Sequence, residues 1–313
     1  MSEAYWQAVL ASGVDVPPDR DLSDMTTELV TMLGDPRPRR RDDLAYPILA
    51  TWISRGVYDD LLVGLGDGIV VGLEHGLGAD GDDSVLRRSF SALILAEIIG
   101  RDNEALLLPG DVVMRWGDQV TSWFVRERDL RGWVPARGWA HAVAHGADLL
   151  GQLARTRHFG ALELTVLLDV IGDRVLAPTS YVLQHGEEDR LAYAVMTILH
   201  RDIVQFRVIE PWLSRIGAGI RQPPARGGGA EWPTPAATNT ISFLRALHVQ
   251  LALGVRGRAD ITDDAKLFAE PSPNRADLLL IVLDQLRAAS PWLFQTPAAA
   301  SVATPTLETE RAR

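Results

Sequence analysis

With 313 residues, 47% hydrophobic and 23% charged, the chain can bury a substantial core and has the composition of an ordinary globular protein. Its 41 acidic and 31 basic side chains give a formal charge of −10, which disfavours non-specific binding to nucleic acid or to an anionic membrane. It has no cysteine, so disulfides, thiolate catalysis and cysteine-held metals are excluded, and any metal must be held by histidine, carboxylate or water.

The opening Met-Ser-Glu-Ala-Tyr-Trp has neither a basic nor an apolar signal region, and the most apolar windows, such as Ala92 to Ile99, fall far short of the roughly 20 residues of a membrane span. A cytoplasmic protein without a membrane segment is expected. Helical periodicity then runs almost from end to end. Ala4 to Leu10 and Ser23 to Leu33 form two opening helices, closed by Gly13 and Gly34. Asp42 to Ser54 is the next, with Pro47 in its first turns, and Asp59 to about Leu77 follows. The glycines from Gly64 to Gly72 match no phosphate-binding loop and indicate close helix packing. Asp82-Asp83-Ser84 caps a helix that runs to Gly100, and Asp111 to Arg128 places Trp116 and Trp123 on one face.

The stretch from Arg137 to Leu150 reads as one helix. His141, His145 and Asp148 fall on one narrow stripe of it, extended by Gln152. Beyond it, Leu162 to Ile171, Glu187 to His200, Val204 to Ile216, Thr238 to Leu253 and Asn274 to Ala289 are helical. Residues 220–236 are rich in glycine and proline and read as a mobile loop, and residues 295–313 as a disordered tail. No strand alternation or βαβ rhythm is visible. Residues 42–53, 189–199 and, less closely, 86–95 resemble one another, as stacked helical repeats would. The expected fold is therefore all-α, a single HEAT-like helical array over residues 1–294, with a compact helical bundle as the alternative.

Glu127-Arg128-Asp129-Leu130-Arg131-Gly132-Trp133-Val134, taken with Gly138 to Leu150, resembles the signature of a bacterial family catalogued as domain of unknown function 2785. Glu187-Glu188-Asp189-Arg190-Leu191-Ala192 is similar to the family's second block, and Leu44-Ala45-Tyr46 with Trp52-Ile53 to its early helix. The resemblance spans roughly residues 40 to 290. It implies an α-helical, HEAT-like domain and supplies no reaction.

The chemistry must come from the residues. Histidines at i and i+4 can direct ring nitrogens at one metal ion, with Asp148 as an oxygen ligand or as the orienting partner of His145, so the candidate cofactor is a divalent metal ion held by His141, His145 and Asp148. The glutamate of a His-Glu-x-x-His motif is missing, since Ala142 follows His141, so a general base would come from elsewhere, with Asp189 and Glu187, at the start of a later helix, as the candidates. The bland alternative is a pair of histidines engaged in packing and hydrogen bonds. Asp129 and Arg131 either contact an anionic ligand or tie neighbouring elements together. Asp189 and Arg190 have the same two readings. Trp133 and Trp139 are either an aromatic wall or packing residues. The leading expectation is a groove for a small ligand lined by Asp129, Arg131, Trp133, Trp139, His141, His145, Asp148, Asp189 and Arg190. A metal-dependent, hydrolase-like enzyme and a protein-interaction scaffold are the alternatives, with a small molecule or a protein as partner.

Overall fold

The computed structural model describes residues 3–220, 232–257, 259, 261 and 263–294. The described residues are mostly helical, and their helices of nine or more residues are α1 (Glu3–Ala11), α2 (Leu22–Met32), α3 (Tyr46–Ser54), α4 (Leu62–Val70), α5 (Ser84–Ala105), α6 (Gly110–Arg126), α7 (Ala142–Arg155), α8 (Ala161–Leu176), α9 (Glu187–His200), α10 (Phe206–Gly219), α11 (Pro235–Leu253) and α12 (Arg275–Ala289). No described helix is long and apolar enough to cross a membrane. The C-terminal tail and most of the glycine- and proline-rich loop lie outside the described residues. At the loop's end, Pro235 and Ala236 already belong to α11.

From α3 onward the helices pack in two rows. In one row α3 contacts α5, α5 contacts α7, α7 contacts α9, α9 contacts α11, and α11 contacts α12. In the other, α4 meets α6, α6 meets α8, α8 meets α10, and α10 closes on α12. The three mutually similar segments lie on α3 with the turn before it, on α5 and on α9, all in the first row. The fully buried Trp52 packs on Trp6 and Tyr58, Trp116 against Gly66 of α4, and Trp123 between the rows against Gly146 of α7.

Two expected helices are interrupted. The one expected to begin at Asp42 starts with a π-helical turn, Arg41–Ala45, before α3. That wider turn brings the fully buried Arg41 guanidinium inward, where it donates to the carbonyl oxygens of Asp35 (2.8 Å) and Arg137 (2.6 Å). The helix expected over residues 59–77 divides into a 3₁₀ turn, α4 and a second 3₁₀ turn, Val71–Glu74.

Of the four glycines from Gly64 to Gly72, Gly66 and Gly72 serve packing, while Gly64 and Gly68 do not. A Cβ on Gly66 would enter the ring of Trp116, whose indole Nε1 is fixed by a 2.8 Å hydrogen bond to Asp67. Gly68, two residues on, faces open space. Gly68→Ala is expected to stabilise the protein by about 0.5–1 kcal/mol through helix propensity. Gly66→Ala is expected to destabilise it by about 1–3 kcal/mol, because the buried indole cannot yield. Urea unfolding of both variants checks this; equal effects would show that the Gly66–Trp116 contact is not tight.

Candidate functional site

The site begins where α6 ends. Glu127 leaves the helix with extended backbone, and its buried carboxylate accepts from Arg88 Nε (2.5 Å) and Nη2 (2.8 Å), Trp123 Nε1 (3.1 Å) and the backbone N–H groups of Arg128 and Asp129 (3.0 Å each). Arg88 is fully buried on α5, and its Nη1 donates to the carbonyls of His75 and Gly76 and to Ser84 Oγ. Asp129, also buried, accepts from Gly81 N–H (3.0 Å) and from the Arg131 guanidinium (2.6–3.1 Å), which reaches on to the Asp82 carbonyl (2.7 Å). In this structure Asp129 and Arg131 are engaged in tying residues 127–131 to the 81–82 turn.

The stretch expected to be a helix from Arg137 is not one throughout. Trp133–Val134 and Gly138–Trp139 form a small antiparallel hairpin, with Trp133 opposite Trp139. Gly138 takes a positive φ of 75°, and Ala140 and His141 donate backbone bonds to Gly132 and Arg131 (2.8 and 2.9 Å). Arg41 takes the Arg137 carbonyl from the other side. These bonds hold residues 137–140 as ribbon, and α7 starts only at Ala142. His141 is its N-cap, in the left-handed region at φ 51°. Two-residue strands carry no alternation, so periodicity could not reveal them.

His141 and His145 therefore do not project from one helix face. Their rings meet edge to face at 5.7 Å. His145 Nδ1 shares a 2.8 Å hydrogen bond with Ser89 Oγ, and its ring packs edge-on against Phe90 at 5.2 Å. The Arg41 guanidinium also lies over the Phe90 ring, at 4.8 Å. Burial, and then the fields of His141 and Arg190, hold the His145 pKa well below 6.5, so this imidazole is neutral. Asp148 turns to an ion pair with Arg190 on α9 instead of orienting His145. The expected ligand set is thus divided: His145 faces Ser89, Asp148 faces Arg190, and His141 faces Glu187. Among the described residues no group of three or more histidine or carboxylate side chains is arranged to hold a metal ion.

His141 has different partners. Its ring stacks on Trp139 (4.5 Å, 18°), and its Nε2 lies 3.4 Å from Glu187 Oε1. The His185 backbone N–H donates to Glu187 Oε2 at 2.8 Å, and its ring Nδ1 lies 3.9 Å from Oε1. Burial alone would raise the Glu187 pKa; the bonds from His141 and the backbone outweigh it and leave the pKa lowered. Glu187, not Asp189, is the acidic residue of α9 that reaches the histidines, and Asp189 stays exposed. Spacing carries the signal, for Glu187 extends the buried Leu191–Ala194–Ile198 stripe. Trp133 and Trp139 are half-exposed and pack on each other at 5.0 Å, with one face of Trp139 covered by His141.

The open part of the site lies further along α7. Asp148, Gln152 and Arg155 continue the stripe to a polar groove, which Glu97 on α5 and Tyr193 on α9 also line. A cavity of about 250 Å³ and a smaller one of about 60 Å³ share Glu97, Gln152 and Arg155. Tyr46 donates to Glu97 (2.9 Å), Asn103 to Gln152 Oε1 (3.2 Å), and Arg155 to Tyr193 (3.0 Å) and Thr197 (3.1 Å). Of the expected stripe, then, Asp148 and Gln152 reach open space, while both histidines are buried.

These features define a mostly helical protein in which a bent chain segment leads into α7, and α7 with α5 and α9 bounds a polar groove. The chain belongs to the family described as "Protein of unknown function (DUF2785)", whose model matches residues 73–249, more than half of its length. That match includes the 127–150 and 187–192 segments and leaves α3 outside. No curated protein and no solved structure matches the chain.

A neutral buried His145 makes stability depend on pH. Unfolded, the imidazole takes up a proton near pH 6.5, whereas the folded state resists until much lower pH, so stability is lost as pH falls below 6.5. Unfolding free energies measured between pH 7.5 and 5 should fall less steeply in His145→Gln than in the wild type. Parallel curves would show that His145 is not the responsible group.

Proposed function

We propose that the protein is a HEAT-like helical array whose groove binds a small polar ligand carrying both an acidic and a basic group. The observation that carries this reading is the convergence of Glu97, Gln152 and Arg155, from α5 and α7, on the 250 Å³ cavity and on the 60 Å³ cavity that shares them, which Asp148 also lines. Interiors of helical arrays are apolar, and a patch of both charge signs facing a cavity is the kind of arrangement that fixes a ligand's orientation. The volume lies below the about 300–1,000 Å³ of drug-sized sites, which favours a metabolite-sized molecule.

Two further features support the array. The similar segments recur in a single row of helices, and each row is built from contacts between successive members, as in stacked repeats. The buried His141–Glu187 pair and the Trp139 stack act on this reading as the rigid end of the groove, holding the start of α7 in place.

A thermal-shift screen of amino acids, small amines and small carboxylates tests the proposal. Zwitterionic compounds should stabilise the wild type by several degrees. Gln152→Trp, which fills the groove, should abolish the shift, and Glu97→Gln should weaken binding by about tenfold through loss of one charge-assisted contact. A hit that survives both substitutions, or no hit, would overturn the groove as the binding site.

A further inference from the structure

A second cavity lies away from the groove and shares no lining residue with it. Its volume is about 690 Å³, and it opens between the end of α6, the end of α8 and the turn near Gly78. Arg126, Arg128 and Arg174 all line it, together with the hydroxyl-bearing Thr179 and Ser180. Three guanidinium groups on one cavity are unexpected in a chain of net charge −10.

Arg174 is the unusual member. It is 7% exposed, and its guanidinium lies 5.4 Å over the ring of Phe124 and donates from Nη2 to the Phe124 carbonyl. Its Nε has no hydrogen-bond partner. No carboxylate among the described residues forms an ion pair with it. The nearby acid is Glu127, whose oxygens already accept from Arg88, Trp123 and two backbone N–H groups. Burial draws the Arg174 pKa down to about 10, which leaves the side chain cationic at neutral pH. A buried cation without a hydrogen-bonded counterion is costly, and an anion entering the cavity would relieve that cost. Arg128 is exposed, and its one hydrogen bond among the described residues is from its backbone N–H to Glu127. Arg126 faces Glu74 at a loose 3.6 Å. Asp80, the remaining acid on the rim, lies in the field of Arg131.

The geometry points to an anion site in which Arg174, Arg128 and Arg126 hold a phosphate group, with the Thr179 and Ser180 hydroxyls as further donors. Several guanidinium donors approaching from different elements, together with hydroxyls, suit a tetrahedral dianion better than a planar carboxylate, which one guanidinium fork satisfies. Val125 and Leu130 give the same cavity an apolar wall that the organic part of a phosphate ester could meet.

The test uses the full-length protein, calorimetric titration with inorganic phosphate and with phenyl phosphate, and chloride at matched ionic strength as control. Saturable binding of phosphate is expected, at least about tenfold weaker in Arg128→Ala and in Arg174→Met. Tighter binding of phenyl phosphate would identify an ester as the occupant, and equal affinity would identify free phosphate; both support the site. Gln152→Trp, in the other groove, should leave phosphate binding unchanged. If Arg174→Met fails to fold, Arg128→Ala decides, because its side chain is exposed. No binding above the chloride control, or unchanged affinity in Arg128→Ala, would overturn the proposal.

Discussion

The buried ion pair between Arg88 and Glu127 is the constraint on which the candidate site depends. Both side chains are removed from water, they meet across 39 residues of sequence, and each holds its own surroundings: Arg88 the 75–84 turn, Glu127 Trp123 and the next two backbone N–H groups. Such a pair adds little over an apolar replacement, but breaking it by removing one partner costs about 3–5 kcal/mol, because a charge is left stranded. Its role is therefore to fix geometry. It makes the chain turn out of α6 at one place and in one direction.

Everything downstream inherits that direction. The turn presents Asp129 to the 81–82 loop and leaves the Arg131 and Gly132 carbonyls free to pair with His141 and Ala140. The resulting ribbon leaves His141 in a left-handed conformation at the start of α7, which costs on the order of 1–2 kcal/mol without glycine. The stack with Trp139, the Glu187 contact and Arg41 on the Arg137 carbonyl offset that cost. Once α7 is clamped at this end, Asp148, Gln152 and Arg155 face the groove from fixed positions. On the far side of the same ion pair, the crowded oxygens of Glu127 are what leave Arg174 without a hydrogen-bonded counterion.

The helices were legible in the sequence because their signal is local. Glu187 to His200 was expected as a helix and is one, and Trp116 and Trp123, seven residues apart, are both buried as their shared face required. The family resemblance, carried by residues 127–150, was legible for the same reason. What could not be read were features made by contacts across the chain. Arg41 bonds to a residue 96 positions away, and Arg88 to one 39 away, so neither leaves a periodic trace. The hairpin is too short to alternate. Its formation moved His141 off the helix and so divided the apparent metal-binding stripe. Asp148 and Gln152 kept their places because they lie well inside α7, where helical spacing holds.

Hydrogen exchange on Glu127→Gln, followed by mass spectrometry, tests most directly whether this ion pair organises the site. The account expects the amides of Arg128, Asp129, Ala140 and His141 to lose protection selectively, while those of α9 and α11 remain close to the wild type. Unchanged protection across residues 128–141, or an even loss over all helices, would contradict it.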